Sequence, residues 1–439
     1  MPRATARVQR LLQIAAEQRP DVFVRRRYAA QLEQARRALA ALVHVPPAEL
    51  VLVPNATTAV NTVLRGLRWA PGDAIVHFDF VYGGCAAAVA CLAESAGVAA
   101  VSVPVALPAA SDAVLVDALR AAVARAAAER GLRVRLALFD TVASQPAVRL
   151  PFEALVAACR AMGVLSLVDA AHGVGLLPLR LRALGADFVT SNCHKWLFVP
   201  RGCALLHVPR RNQHLVRSAL AASWGFVPAL AASGSGSDSA ATGARAEDEC
   251  ASTAWTAQFT HVGSTGDSSS YLTVPAAIAW RRWLGGEDAI MAYTCRIARL
   301  GAEVFARRLG TEVMAGGVGM HNVRLPLSRG GGGGGGGSGD GNSRDVVGNG
   351  SSWDGSNNGD GSSNGDGSSG EVPSARVGAL ADWMQNAMLD HSRTFVTVFD
   401  YRSQWWCRVS GQVYLEEADF ERGADIVAGL VERVKRGDW

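Results

Sequence analysis

No eighteen apolar residues follow one another in this chain of 439, so it holds no run of the kind that crosses a bilayer as a helix. None of its eight cysteines stands in the C-x-x-C spacing of a zinc or redox site, and no metal centre is expected. Scattered as they are, most of the cysteines read as small buried residues of a reducing compartment. Charge of one sign is scarce too. A formal net charge of +4 over this length gives no reason to expect nucleic acid or an anionic membrane as a partner. Arg125, Arg130, Arg133 and Arg135 are interleaved with Ala and Leu, which predicts a solvated helix face and its exit turn.

Hydrophobic residues make up 49% of the chain, enough for a large core and for two domains. The opening MPRATARVQRLLQIAAEQRP is Arg-rich and weakly amphipathic, and its pattern runs on through Glu17. It is read as part of the fold rather than as a targeting peptide, and the protein as cytoplasmic with an organelle as the alternative. From residue 24 onward helical periodicity alternates with short, almost wholly apolar runs: VLVP, AIVHF, AAVSVPV, RLALFD, VLSLVD, DFVTS and CALLHV. Such strands separated by helices predict an α/β fold whose mostly parallel sheet is covered on both faces. Working residues then gather beyond the carboxyl ends of the strands, where Asp140, Asp169 and the run from Asn192 to Lys195 fall.

The expected organisation is an N-terminal helical segment over 1–40, a large domain over 41–290 with a surface loop at 229–252, and a smaller α/β domain over 291–439. Within the last, the Gly/Ser/Asn/Asp-rich stretch 328–370 has too little apolar surface to offset the entropy of ordering it. Disorder is expected there.

VDAAHG places Asp169 after an apolar strand and His172 three residues on, and DFVTSNCHKWLFVPRG places Lys195 after the next helix and strand. An acid at a strand end is by itself a cap or turn residue. Beside a lysine and two histidines it can hold a proton on a heteroaromatic nitrogen, as the pyridine ring of pyridoxal phosphate requires, while the lysine carries the cofactor's aldehyde. NATTAVN offers hydroxyls and backbone amides to a phosphate at a helix start, although such caps are common. Tyr82 follows another strand, where it could stack on a ring or simply pack.

PNATTAVN, GDAIVHFDFVYGG, LVDAAHGVGLLPL, DFVTSNCHKWLFVPRG and TGDSSSYL together resemble the class V aminotransferase group of fold type I pyridoxal-phosphate enzymes. The branch is the one holding isopenicillin N epimerase-like proteins, cysteine desulfhydrases and hercynylcysteine sulfoxide lyases. The resemblance implies fold type I and pyridoxal 5'-phosphate as cofactor, with Lys195 as its covalent anchor. It also implies Asp169 at the pyridine nitrogen, His172 near the phenolic oxygen and Tyr82 stacked on the ring. Thr57, Thr58, Asn192 and His194 would line the phosphate. Thr265 stands where the family completes that socket from a second subunit, which implies a homodimer with a shared active site; Ser264-Thr265 replaces the usual Gly-Thr there. Arg408, in WWCRVSGQVY, matches the arginine that grips a substrate carboxylate.

Relatives carry an Asn-His-Gly stretch before the first long helix, and MPRATARV begins where that segment would have ended. Either truncation or a reduced pocket is expected. HSRTFVTVFDYRSQWW lacks the persulfide-forming cysteine of desulfurases, and Cys407 beside Arg408 cannot take its place. The implied activity is a C–S lyase working by β-elimination on cysteine, a cysteine conjugate or a sulfoxide, giving pyruvate, ammonia and a sulfur product. The alternatives are an epimerase of the isopenicillin N epimerase type, an aminotransferase, and an inactive homologue that acts as a binding protein.

Overall fold

Leu50–Val53 (β1), Asp73–Phe78 (β2), Ala99–Val103 (β3), Arg133–Asp140 (β4), Leu165–Asp169 (β5), Phe188–Asn192 (β6) and Ala204–His207 (β7) form one sheet in the order β1-β7-β6-β5-β4-β2-β3. The structure is a computed structural model that describes residues 1–216, 218–220, 226, 255–260, 266–329, 371–372 and 376–439. The loop read at 229–252 and, from residue 330, the insert read as disordered lie outside the described residues.

Strands β3, β2, β4, β5 and β6 pair in parallel, and β7 runs antiparallel to both β6 and β1. The link from β6 to β7 holds only the short turn Cys193–Trp196, too little for a crossover helix, so β7 comes back alongside. Strands β1, β4 and β6 therefore end on one edge, as does β5, whose Asp169 is the register partner of Asp140. Leu136, Leu138, Leu167 and Phe188 are at most 1% exposed and pack with Val60, Val63 and Leu64 of the helix Ala56–Gly66. Burying each such side chain contributes about 1.5–3 kcal/mol. Arg133 and Arg135, expected with Arg125 and Arg130 on a solvated helix face and its exit turn, lie past that turn. They begin β4 and hold the buried Asp73 of β2 at 2.6 and 3.1 Å.

The chain divides into two units: Met1–Val81, Cys85–Val142 and Leu150–Met291 form the first, and Tyr82–Gly84, Ala143–Arg149 and Ala292–Trp439 the second. The N-terminal stretch is helical over Arg3–Gln18, and the helix expected from residue 24 opens with a π-turn, Phe23–Tyr28, before Ala29–Leu42. In the second unit Met320–Arg329 (β8), Glu371–Val372 (β9), Thr397–Tyr401 (β10) and Gln404–Ser410 (β11) form a sheet ordered β10-β11-β8-β9. Strand β8 was not anticipated, and it takes in Ser328 and Arg329 from the stretch expected to be disordered. Helices Val377–Ser392 and Glu417–Lys435 supply Leu380, Met384, Met388, Val427 and Val431 to a core around Trp405, which is fully buried.

Candidate active site

At the end of β6 the chain enters the single turn Cys193–Trp196, which leaves Lys195 half-buried. Lys195 Nζ lies 3.0 Å from Nε2 of His172, on the turn after β5. That turn is tight: Gly173 N–H donates to Ala170 O at 2.6 Å, and Ser191 Oγ donates to the same carbonyl while accepting Val174 N–H at 2.9 Å. The other ring nitrogen of His172, Nδ1, accepts the indole N–H of Trp196 at 3.1 Å. Behind the turn Arg281, fully buried, donates to the carbonyls of Trp196 (2.8 Å) and Gly175 (3.2 Å) and pairs with Glu287 at 2.6 Å.

Asp169 is 1% exposed. Its Oδ1 accepts Ala171 N–H at 2.8 Å, and its Oδ2 accepts the thiol of Cys85 at 3.2 Å. Burial pushes its pKa up, against the pull of the hydrogen bonds from Cys85 and Ala171. No arginine pairs with it among the described residues. Next to it, the helix Ala56–Gly66 opens on the Asn55 cap, whose Oδ1 accepts the N–H (2.7 Å) and hydroxyl (3.0 Å) of Thr58. Asn192 Oδ1 takes the Ala56 N–H at 2.9 Å, tying the end of β6 to that helix start. Among the described residues of the expected phosphate group, Thr57 keeps both its N–H and its hydroxyl without a described partner. His194 donates Nδ1–H to Cys203 O at 2.9 Å. Burial first, then the charge of Arg201, holds it below the ordinary imidazole range.

Arg408 sits on β11 in the second unit, where it donates to Ser144 O (2.8 Å) and Oγ (3.1 Å), with Thr397 Oγ1 at 3.5 Å. Its Nε is buried without a partner, no carboxylate pairs with it among the described residues, and burial brings its pKa down to about 10. Tyr82 belongs to the same unit and is 41% exposed. Thr265 lies outside the described residues.

Aminotransferase class-V is the family description that matches residues 15–223. Over 431 residues the chain is 34% identical to the L-cysteine desulfhydrase-like protein lolT1 of Epichloe uncinata, covering 95% of this chain and 87% of that one. The chain belongs to the class-V aminotransferase family. A further relative of this family member is the hercynylcysteine sulfoxide lyase of Schizosaccharomyces pombe, 24% identical over 94% of this chain and 87% of that one. The fold of the present chain matches that of the cystine C–S lyase C-DES, solved with cysteine persulfide, at a TM-score of 0.67 and 18% identity over 98% of this chain and 94% of that one. Both lie in the α/β architecture expected of fold type I.

This class-V member contains two lysines in all, Lys195 and Lys435. The second closes the last helix, is exposed and pairs with Glu432 at 2.9 Å. Trp196, Cys85, Arg281 and Ser144 were not singled out by the sequence reading. Trp196 adjoins Lys195 in the HKW motif, the one available cue. The others meet their partners only through the fold.

Proposed function

We propose that this chain is a pyridoxal-phosphate-dependent lyase that breaks the Cβ–S bond of cysteine or a cysteine-type amino acid. The observation that carries the reading is the placing of Lys195 Nζ, 3.0 Å from His172, next to a buried carboxylate at the end of the neighbouring strand. Asp169 supplies the test of fit. A carboxylate so buried and without an arginine partner is costly, and a protonated ring nitrogen would provide the missing positive charge.

Bound pyridoxal phosphate supplies an electron sink for the pair left when the α-proton departs. Asp169 would hold the ring-nitrogen proton, and Lys195 would anchor the aldehyde and then accept the α-proton at Nζ. His172 would face the phenolic oxygen, and Tyr82 would cover the ring. The N–H and hydroxyl of Thr57 suit the phosphate best. Thr58, Asn192 and His194 would shape that socket, Asn192 by fixing the helix start. Arg408 would bind the substrate carboxylate with its planar fork of donors. The relatives named for cysteine desulfhydrase, hercynylcysteine sulfoxide and cystine chemistry support a sulfur leaving group on a small amino acid. A homodimer, with Thr265 reaching the phosphate from a second copy, belongs to the same proposal.

Two lysines make the test clean. Borohydride reduction followed by digestion and mass mapping should place the pyridoxyl group on Lys195, and Lys195→Ala should abolish it without unfolding the protein. Label on Lys435, or none, would sink the reading. A screen of cysteine, cystine and cysteine-conjugate sulfoxides for pyruvate, ammonia and sulfide together then names the substrate. Inversion at Cα without pyruvate would instead indicate an epimerase.

A further inference from the structure

Three polar atoms line up beside the proposed anchor: Trp196 Nε1, His172 Nδ1 and, across the ring, His172 Nε2 facing Lys195 Nζ. We propose that Trp196 is a positioning residue that sets the tautomer of His172, so that the imidazole presents an N–H from Nε2 to the Lys195 amine. An indole nitrogen donates and never accepts. At 3.1 Å from Trp196 Nε1, His172 Nδ1 must therefore offer a lone pair. The proton of the neutral ring then resides on Nε2. A doubly protonated ring is excluded at this contact, since it would turn Nδ1–H against the indole N–H.

The second contact follows from the first. Two nitrogens 3.0 Å apart need one donor and one acceptor, and Nε2 has already been made the donor. Lys195 Nζ accepts, which a neutral amine can do and an ammonium cannot, because its lone pair is occupied. The chain thus keeps its lysine in the form that attacks a carbonyl. It does so with a residue directly adjacent in sequence.

Trp196 is held well enough for the task. It is 5% exposed, its carbonyl takes the Arg281 bond at 2.8 Å, and Arg281 is itself clamped by Glu287. Gly175, at φ +84°, lets the backbone pass so close that a Cβ would lie 2.7 Å from the Trp196 carbonyl. The two rings are 6.1 Å apart and tilted by 59°, so they meet through the N–H edge and not by stacking. A phenylalanine could fill most of this volume and could not make the bond.

The consequence for catalysis rests on Lys195 as the covalent anchor; the tautomer does not, and it can be read separately. The full-length protein, labelled with ¹⁵N in its histidines, is measured as purified and after removal of cofactor, with His172 assigned by comparison with His172→Gln. The Nε2–H tautomer alone is expected in both preparations, and Trp196→Phe should lose it for a mixture of forms. A wild-type Nδ1–H tautomer overturns the proposal, as does a Trp196→Phe protein that keeps pure Nε2–H. Should that variant not fold, wild-type protein labelled in both residue types should show a scalar coupling between Trp196 Nε1 and His172 Nδ1, and its absence overturns the proposal equally. Failure to label Lys195 with borohydride would remove the lyase reading while leaving the tautomer result standing.

Discussion

Arg408 keeps a guanidinium half-buried with a serine and a threonine as company and no acid beside it among the described residues. Burial has lowered its pKa to about 10, so it remains charged at neutral pH, as the proposed grip on a substrate carboxylate requires. Arg408→Lys should raise KM strongly for α-carboxylated substrates, by roughly 2–5 kcal/mol in kcat/KM, since an ammonium cannot supply two parallel donors. An amine analogue lacking the carboxylate should show no such loss. Equal loss on both compounds would assign Arg408 to the fold. Asp169→Asn tests a different atom: cofactor should remain bound while exchange of the substrate α-proton in deuterated water disappears, because the amide cannot stabilise a ring proton by charge. Exchange at the wild-type rate would remove Asp169 from that role. The identities of Lys195, Asp169 and His172 were legible in VDAAHG and HKW. The partners of Trp196, Cys85 and Ser144 were not, because a donor's identity says nothing of which distant acceptor the fold brings to it.

At the level of elements, the turn that carries Lys195 depends on a clamp built from another part of the first unit. Arg281→Met should leave Glu287 and the carbonyls of Trp196 and Gly175 without their donor, at a cost of about 3–5 kcal/mol in urea denaturation. A loss below ~1 kcal/mol would mean that water replaces the clamp. The hairpin between β10 and β11 carries a smaller, opposite opportunity. Arg402 and Ser403 both take positive φ, 53° and 61°, which costs a side-chain-bearing residue roughly 1–2 kcal/mol. Ser403→Gly should therefore stabilise the protein by about 1 kcal/mol, less what the freer glycine loses on folding. A lower denaturation midpoint would show that Ser403 makes a compensating contact.

For the molecule as a whole, three histidines set an acid limit. His77, His194 and His321 lie below the ordinary imidazole value of 6.5, each chiefly because burial disfavours the charged ring. Their folded pKa values are the lower ones, so the unfolded chain binds more protons and stability rises with pH through this window. The contribution is whole above about pH 6.5 and falls as pH drops below it toward the folded values. Urea midpoints at about pH 7.5 and 5.5 should differ in that sense, and His77→Gln should shrink the difference. An unchanged difference would place the linkage on other groups. Sedimentation at assay concentration tests the proposed dimer, which an active monomer would contradict.

The apolar strands of the first sheet could be read directly, since burial on both faces requires continuous Val, Leu and Phe, and the helices between them impose parallel order. The same alternation located the strand ends where Asp169, Asn192 and Lys195 gather. The sense of β7 required the short Cys193–Trp196 turn to be seen in place, and β8 was concealed because its apolar pattern abuts the glycine-rich stretch. The helix start was readable as an anion site, yet its donors were not all available: Asn55 and Asn192 take two of them. Which amide stays open, which nitrogen of His172 holds its proton and which cation clamps the lysine turn are set by contacts between residues far apart along the chain. Local pattern constrains each segment's own conformation. Hydrogen-bond partners across the sheet edge depend on angles and separations that exist only once the segments have packed.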